Sequence, residues 1–269
     1  MYKTIEVLIP TINADISDAI KLLEYWNVQS DCIISNQCDC NDCSEFLFKN
    51  HRVKWIDINS RGVSKNRNNL LNNLQADLGI FIDDDCSLID GYPEIILDEM
   101  NSFNSDAALF TGFNDEGNII NSSKKTIVCK KYSDISHMGG PGICVGREFI
   151  SNSQIRFNEK LGTPNRIYLG EDSFFGFQLI QTKKIIINSN KPIFKILEDL
   201  DNSSYFKGFN EQYFFSKGAI NKLVHPKSFF LWRLYYLFKL SKKTGHKYRF
   251  MNKEMKKGEK SIIDGKVKE

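Results

Sequence analysis

No stretch of this 269-residue sequence reaches the roughly 18 consecutive apolar residues that a membrane-spanning helix needs. The opening segment, MYKTIEVLIPTIN, lacks the basic, apolar and small-residue zones of a signal peptide, so the expected location is the cytoplasm. Internal repeats, low-complexity tracts and paired C-x2-C knuckles are also missing. Seven cysteines, an odd number, are expected to be reduced thiols rather than a disulfide framework. Cys32 and the C-x-C-x2-C run at Cys38, Cys40 and Cys43 keep a zinc site open as a competing reading. Net charge is small as well, +3 from 36 Lys plus Arg against 33 Asp plus Glu, which taken alone argues against a strong polyanion binder.

The composition is globular, with 41% hydrophobic and 26% charged residues, and the length suits one large domain with a smaller appendage. Charge is unevenly spread. Residues 222–269 hold 14 basic and 4 acidic side chains, a net +10, which leaves −7 on residues 1–221. The expected division is therefore a catalytic domain over 1–221 and a basic, aromatic helical extension over 222–269.

Short apolar strands alternate with helical patterns through the first half. Glu6–Pro10, Cys32–Ser35, Val53–Ile58, Leu78–Ile82 and Ala107–Thr111 read as strands. Asp15 and Ser64 are placed to cap helices, and Pro93 suits a first helical turn. A further strand is expected at Thr126–Lys130, and a final one at Lys184–Asn188. This alternation predicts an α/β, doubly wound, mainly parallel sheet, with ligands bound beyond the carboxyl ends of the strands. Pro10, Thr11, Asp57 and the Asp83–Asp85 cluster all fall at such ends.

Three motifs carry chemistry. FIDDDC sets Asp83, Asp84 and Asp85 directly after a buried strand, where mutual repulsion favours a hard divalent cation bridged to phosphate; a solvated acidic turn is the plainer alternative. SRGVSKNRNNLL gathers Arg61, Lys65 and Arg67 around a helix N-terminus, an arrangement suited to phosphate or simply to a solvated basic face. In GEDSFF, Glu171 and Asp172 are either favourable first-turn acids or a general base at the rim of a metal–diphosphate cleft.

The ordered set IPT, RGVSKNRN, IDDDC, GGPGICVGREF and GEDSFF resembles the family 2 glycosyltransferases of the GT-A fold, in particular bacterial enzymes that build capsular or other surface polysaccharides. The resemblance covers about residues 4–220. It implies a Rossmann-like nucleotide-sugar-binding core, Mn²⁺ or Mg²⁺ as cofactor, and a UDP-sugar as donor. Pro10, Thr11, Asp57, Arg61, Lys65, Arg67, Asn68, Asp83 and Asp84 would line the donor site, with Asp85 and Asp83 on the metal. Gly140, Pro141 and Gly142 would face the donor sugar and acceptor, and Asp172, or less directly its neighbour Glu171, would be the base. The family's further metal ligand, often a histidine, has no counterpart in FKILEDLDNSSYF at 194–206, where Glu198, Asp199 or Asp201 could substitute; His225 is a more distant candidate.

The function expected is inverting transfer of a sugar to a hydroxyl of a glycan or lipid-linked acceptor, a hexosyltransferase reaction. A catalytically silent sugar-nucleotide or glycan binder, and a metal-dependent nucleotidyltransferase or phosphohydrolase, are the alternatives. FFLWRLYYLFKL at 229–240 is too short to span a bilayer, but within the basic stretch 227–249 it could lie on the inner face of an anionic membrane. Equally, it could pack on the body or on a second copy in a homodimer. Nucleic-acid binding is not expected, because the body is acidic and no binding module is present.

Overall fold

The computed structural model describes residues 1–120, 124–136, 139–197 and 208–268. A ten-stranded sheet forms the centre. Its first half comprises β1 (Ile5–Ile12), β2 (Asp31–Gln37), β3 (Asp42–Phe48), β4 (His51–Ile58) and β5 (Leu78–Phe81), with α1 (Ala19–Tyr25) and α2 (Val63–Asn73) as crossovers. Next come β6 (Cys86–Leu88), α3 (Tyr92–Ser102), β7 (Ala107–Phe113), β8 (Ile127–Val128), β9 (Ile143–Gly146), α4 (Arg147–Ser153), α5 (Glu171–Gln181) and β10 (Ile186–Ile196). The chain ends in α6 (Glu211–Val224), α7 (Phe229–Thr244), α8 (Tyr248–Lys260) and a small hairpin of β11 (Ile262–Ile263) and β12 (Lys266–Val267).

Strand order is β3-β4-β2-β1-β5-β9-β7-β10-β6, with β8 also on β10. Strands β4, β2, β1, β5, β7 and β10 run one way, and β3, β9, β6 and β8 oppose them. The chain winds outward from β1 through β2 to β4 and then returns to β5 on the other side of β1. That reversal opens a crevice at the carboxyl ends of β1 and β5.

Side chains alternate between two buried faces, as the period of a strand requires. Val7, Ile9, Trp55, Ile80 and Ile82 join Leu23, Trp26 and Ile96 in one cluster, under α1 and α3. Leu8, Ile33, Ile56 and Phe81 join Leu70, Leu71, Phe149, Phe175 and Leu179 in the other, under α2, α4 and α5. Each such side chain fully removed from water contributes on the order of 1.5–3 kcal/mol, which makes this sandwich the main source of stability.

Several local expectations shift. Pro10 does not stop β1, which continues to Ile12. Beyond Leu8 the strand pairs only with β2, since the β5 register ends at Leu8↔Phe81, so the missing N–H faces no partner. Asp15 caps as expected, its carboxylate accepting from Ser17 N at 2.9 Å. Ser64 is not the cap of α2: that helix is capped at Gly62, and the Ser64 hydroxyl donates to Leu161 O at 2.8 Å. Strand β3 carries the Asp/Cys/Glu-rich run at an exposed sheet edge and has no clear apolar alternation in the sequence. The final sheet strand, expected to end at Asn188, continues to Ile196.

The C-terminal helices pack closely. A Cβ on Gly218 of α6 would lie 2.1 Å from Met255 O, and one on Gly258 of α8 would lie 1.9 Å from Phe215 O, so these two helices touch backbone to backbone. Phe214, Leu237, Leu240, Met251 and Met255 fill the space between α6, α7 and α8. Arg233 is ion-paired to Glu259 across α7 and α8. Among the described residues, no helix is long and apolar enough to cross a membrane.

Candidate active site

Arg67 is the hub of the crevice. Leu70, Leu71 and Leu74 hold one face of α2 and the turn after it against the sheet, which directs Asn66, Arg67 and Asn68 inward at its amino-terminal end. Arg67 is only 4% exposed. Its Nη1 lies 2.6 Å from Asp172 Oδ1 and 3.4 Å from Glu171 Oε1, while Nη2 lies 3.0 Å from Asp83 Oδ1. One guanidinium fork thus gathers carboxylates from the first turn of α5 and the end of β5.

One positive charge facing three negative ones in a buried setting is short of compensation. Burial, reinforced by the charges of Glu171 and Asp83, outweighs Arg67 and pushes the Asp172 carboxyl up to about 8. Burial likewise raises Glu171, whose Oε2 is buried with no hydrogen-bond partner. The cluster can therefore hold a proton near neutral pH, the property a general base requires.

Gly140 lies directly over this cluster. A Cβ there would fall 2.1 Å from Arg67 Nη2 and 2.8 Å from Asp83 Oδ2, so no side chain fits. Gly142, at φ +90°, ties the loop down: its N–H donates to Phe81 O at 2.9 Å and its carbonyl accepts from Phe110 N at 2.8 Å. Pro141 between them is half-buried.

The other residues singled out in the sequence fall into separate groups. Thr11 Oγ1 donates to Asp84 Oδ2 at 2.7 Å, and Trp26 Nε1 donates to Asp84 O at 3.0 Å, which latches the acidic turn to β1 and α1. Pro10 is buried in β1 beside Thr11. Asp57, at the end of β4, accepts from Asn36 at 2.7 Å and from Trp55 at 2.9 Å, both through Oδ1. Arg61 bonds Gln37 O at 2.6 Å and pairs with Asp39 at 2.7 Å, and Lys65 is exposed. Asn68 turns away from the cluster and exchanges two hydrogen bonds with the Phe157 backbone, at 2.8 and 2.9 Å. It thereby fixes the Phe157 ring, which stacks on Phe175 and lies 5.5 Å from the Arg67 guanidinium.

Asn66 and Trp26 escaped the sequence reading. Asn66 Nδ2 donates to Thr11 O at 3.1 Å, and its Oδ1 is buried without a partner. Its position inside the NRNN run was the available signal. Trp26 carried none beyond its apolar spacing.

Asp85 has an exposed side chain that accepts from the Cys86 thiol at 3.4 Å; partial loss of water around its carboxyl at the foot of the turn, with the Asp83 charge, raises its pKa. With Asp84 Oδ2 engaged by Thr11, Asp83 Oδ1 by Arg67 and Asp85 Oδ1 by the Cys86 thiol, the second oxygens of Asp83, Asp84 and Asp85 are left for a cation. That set fits a hard ion bound by one or two carboxylates and completed by diphosphate oxygens. His225 stands elsewhere, stacked on Trp232 at 4.3 Å, and Glu198, Asp199 and Asp201 lie outside the described residues. Among the described residues, the group of three possible metal donors brought within 4.8 Å is Cys38, Cys40 and Asp57. Cys43 is exposed on β3 and Cys32 is buried in β2, and neither belongs to that group.

No protein-family model and no curated protein matches the sequence. Solved structures of S. aureus TarS do match its fold. The structure of TarS residues 1–349 has a TM-score of 0.61 at 14% identity, covering 98% of this chain and 96% of that one. The same fragment in complex with UDP-GlcNAc has a TM-score of 0.61 at 14% identity, over 83% of this chain and 67% of that one. In complex with UDP it scores 0.60 at 14% identity. This chain spans 40% of the longer TarS structure. At that identity the likeness is one of fold: an α/β, GT-A type sheet carrying a C-terminal helical extension.

Proposed function

We propose that the protein is an inverting glycosyltransferase of the family 2 type, moving a hexose from a UDP-sugar to a hydroxyl of a glycan or lipid-linked acceptor in bacterial surface polysaccharide synthesis. The observation that carries this reading is the buried Arg67 cluster, which sets a carboxylate of raised pKa beside Asp83 at the carboxyl edge of a GT-A sheet. The fold neighbour TarS, whose structures contain UDP and UDP-GlcNAc, supports the choice of donor.

In this reading the acceptor oxygen attacks the anomeric carbon as the bond from that carbon to the diphosphate oxygen breaks, and UDP departs from the opposite face. Asp172, ionised, takes the hydroxyl proton. Arg67 holds the Asp172 carboxylate in place and favours its ionised form. Thr11, Asp57 and Pro10 line the nucleoside side, with Asp84 latched to Thr11, and Gly140 and Gly142, on either side of Pro141, leave the sugar an approach along bare backbone. Arg61 and Lys65 are cations available to the leaving diphosphate, and the Arg61 pair with the exposed Asp39 is weak enough to exchange. Asp85 and Asp83 would hold Mn²⁺ or Mg²⁺, which supplies charge neutralisation on the diphosphate.

Thermal unfolding with a panel of nucleotides, each with and without Mn²⁺, tests this directly, because a ligand of the native state raises its apparent stability. Stabilisation by UDP and a UDP-sugar in the presence of metal is expected. Indifference to every uridine nucleotide, with or without metal, would overturn the proposal.

The exposed side of α7 belongs to the same picture. Phe230, Leu231, Leu234, Tyr235 and Phe238 are each 48–62% exposed, and Lys239, Lys242 and Lys243 flank them. That combination suits the surface of an anionic membrane, where a lipid-linked acceptor would be found.

A further inference from the structure

A second set of metal donors, unlike the carboxylates of Asp83–Asp85, gathers where β2 and β4 end. Cys38, Cys40 and Asp57 each offer one donor atom, and the three atoms lie within 4.8 Å of one another. The sheet itself produces this meeting. Asn36 of β2 and Asp42 of β3 flank Asp57 in register, so the three side chains share one face. Cys38, two residues beyond Asn36, extends β2 by donating its N–H to Ile58 O at 3.1 Å, and so returns to that face.

The chemistry of the set selects a soft ion. The two sulfurs stand 3.4 Å apart and belong to free thiols. On a tetrahedral Zn²⁺, with bonds of ~2.3 Å, two thiolates stand about 3.8 Å apart, so the pair is already close to the required spacing. Asp57 is oriented for a third position: Asn36 and Trp55 both donate to its Oδ1, at 2.7 and 2.9 Å, which leaves Oδ2 for an ion. Hydrogen bonds of this kind fix the direction of a ligating carboxylate. The loop that carries the thiols is tied down as well. Arg61 bonds Gln37 O at 2.6 Å and Asp39 Oδ1 at 2.7 Å, and Asn59 N–H donates to Asn41 Oδ1 at 2.8 Å. Cys40 is exposed and Cys38 half-buried, so an ion reaches them from water, which can complete its shell. Mg²⁺ and Mn²⁺ favour oxygen ligands and Zn²⁺ accepts thiolate, so softness separates this set from the acidic turn.

We propose that Cys38, Cys40 and Asp57 bind a thiophilic divalent ion, Zn²⁺ foremost, and that this ion and the donor nucleoside exclude each other at Asp57. Binding deprotonates both thiols, and the two protons pass to solvent. The metal site stands on its three ligands alone. The exclusion rests on the assignment above of Asp57 to the nucleoside, because Asp57 Oδ2 serves one partner at a time.

The full chain, kept reduced with a phosphine and held in excess Mg²⁺ to fill the Asp83–Asp85 oxygens, is titrated with Zn²⁺ against a chromophoric chelator. A parallel titration with Cd²⁺ follows the ultraviolet band of sulfur-to-metal charge transfer. One ion per chain is expected, with a band of the strength given by two thiolates. Cys38→Ser and Cys40→Ser should each weaken Zn²⁺ at least tenfold and Asp57→Asn about tenfold, since loss of even an outer partner of a metal costs roughly that much. Cys43→Ser, outside the group, should bind as the parent chain does, and melting temperatures show that each variant is folded. Saturating UDP should weaken Zn²⁺ about as much as Asp57→Asn does, and Zn²⁺ should weaken UDP by the same factor, an effect that Cys38→Ser removes. Absence of the thiolate band, or unchanged Zn²⁺ affinity in Cys38→Ser and Cys40→Ser, would overturn the metal site. Equal Zn²⁺ affinity with and without bound UDP would overturn the exclusion. Stabilisation by UDP and Mn²⁺ is read separately in zinc-free samples, so loss of the metal site leaves the transferase reading standing. Indifference to UDP there would remove that reading and the exclusion together, with the metal site still decided by the Zn²⁺ and Cd²⁺ titrations.

Discussion

Asp172 sits where burial and two like-charged neighbours oppose ionisation and a single arginine favours it. As the proposed base, it should be needed for the chemical step and not for holding the donor. Asp172→Asn is expected to lower transfer by roughly 10²- to 10⁴-fold, with stabilisation by UDP nearly unchanged; full transfer by the variant would reject the role. The same side chain makes stability depend on pH. Its folded pKa of about 8 lies above the ordinary carboxylate value of 3.8, so the native state binds the extra proton and stability falls as pH rises between those values. The slope from this group is at most about 1.4 kcal/mol per pH unit. Denaturant titrations from pH 5 to 8 should give a flatter profile for Asp172→Asn than for the parent chain. The acid pair was legible in GEDSFF, and Arg67 was legible as one cation of a basic run. That one guanidinium would sit between α5 and β5, 104 and 16 residues away at Glu171 and Asp83, was not legible, because only chain crossing brings them together.

At the scale of elements, the helical end of the chain depends on two glycines. A methyl group at Gly258 would meet Phe215 O at 1.9 Å, and backbone in a packed helix cannot retreat by the distance required. Alanine is intrinsically the better helix former by roughly 1 kcal/mol, so an exposed site would gain stability. Here Gly258→Ala is expected to cost about 1–3 kcal/mol through overpacking, with the loss seen as a lower denaturant midpoint. Most strands and the main crossover helices were legible because their apolar spacing is strong and their breakers are sharp. Strand β3 was not, since an edge strand rich in Asp, Cys and Glu shows little of the alternation that burial imposes. The capping of α2 also escaped, because Gly62 is anchored by Gln37 Oε1, a side chain supplied from β2.

For the whole molecule, charge is segregated between an acidic body and a basic C-terminal segment, and α7 adds an uncovered apolar face to the basic end. The intact chain should float with vesicles rich in phosphatidylglycerol at low salt and remain in solution with phosphatidylcholine vesicles. Leu234→Glu combined with Phe238→Glu should abolish flotation without altering UDP binding. Absence of flotation, together with a stable dimer in sedimentation that the same substitutions dissociate, would transfer this face to a second copy of the chain. The sequence by itself determined the α/β alternation, the strand ends where chemistry gathers and the charge asymmetry, all of which are local patterns or sums along the chain. Only the tertiary structure decided that Arg67 is buried among three carboxylates, that Asn68 supports Phe157 rather than facing the cluster, and that Asp57 comes within reach of Cys38 and Cys40. Those relations are set by desolvation and by contacts between distant segments, quantities that have no value until the sheet and helices have packed.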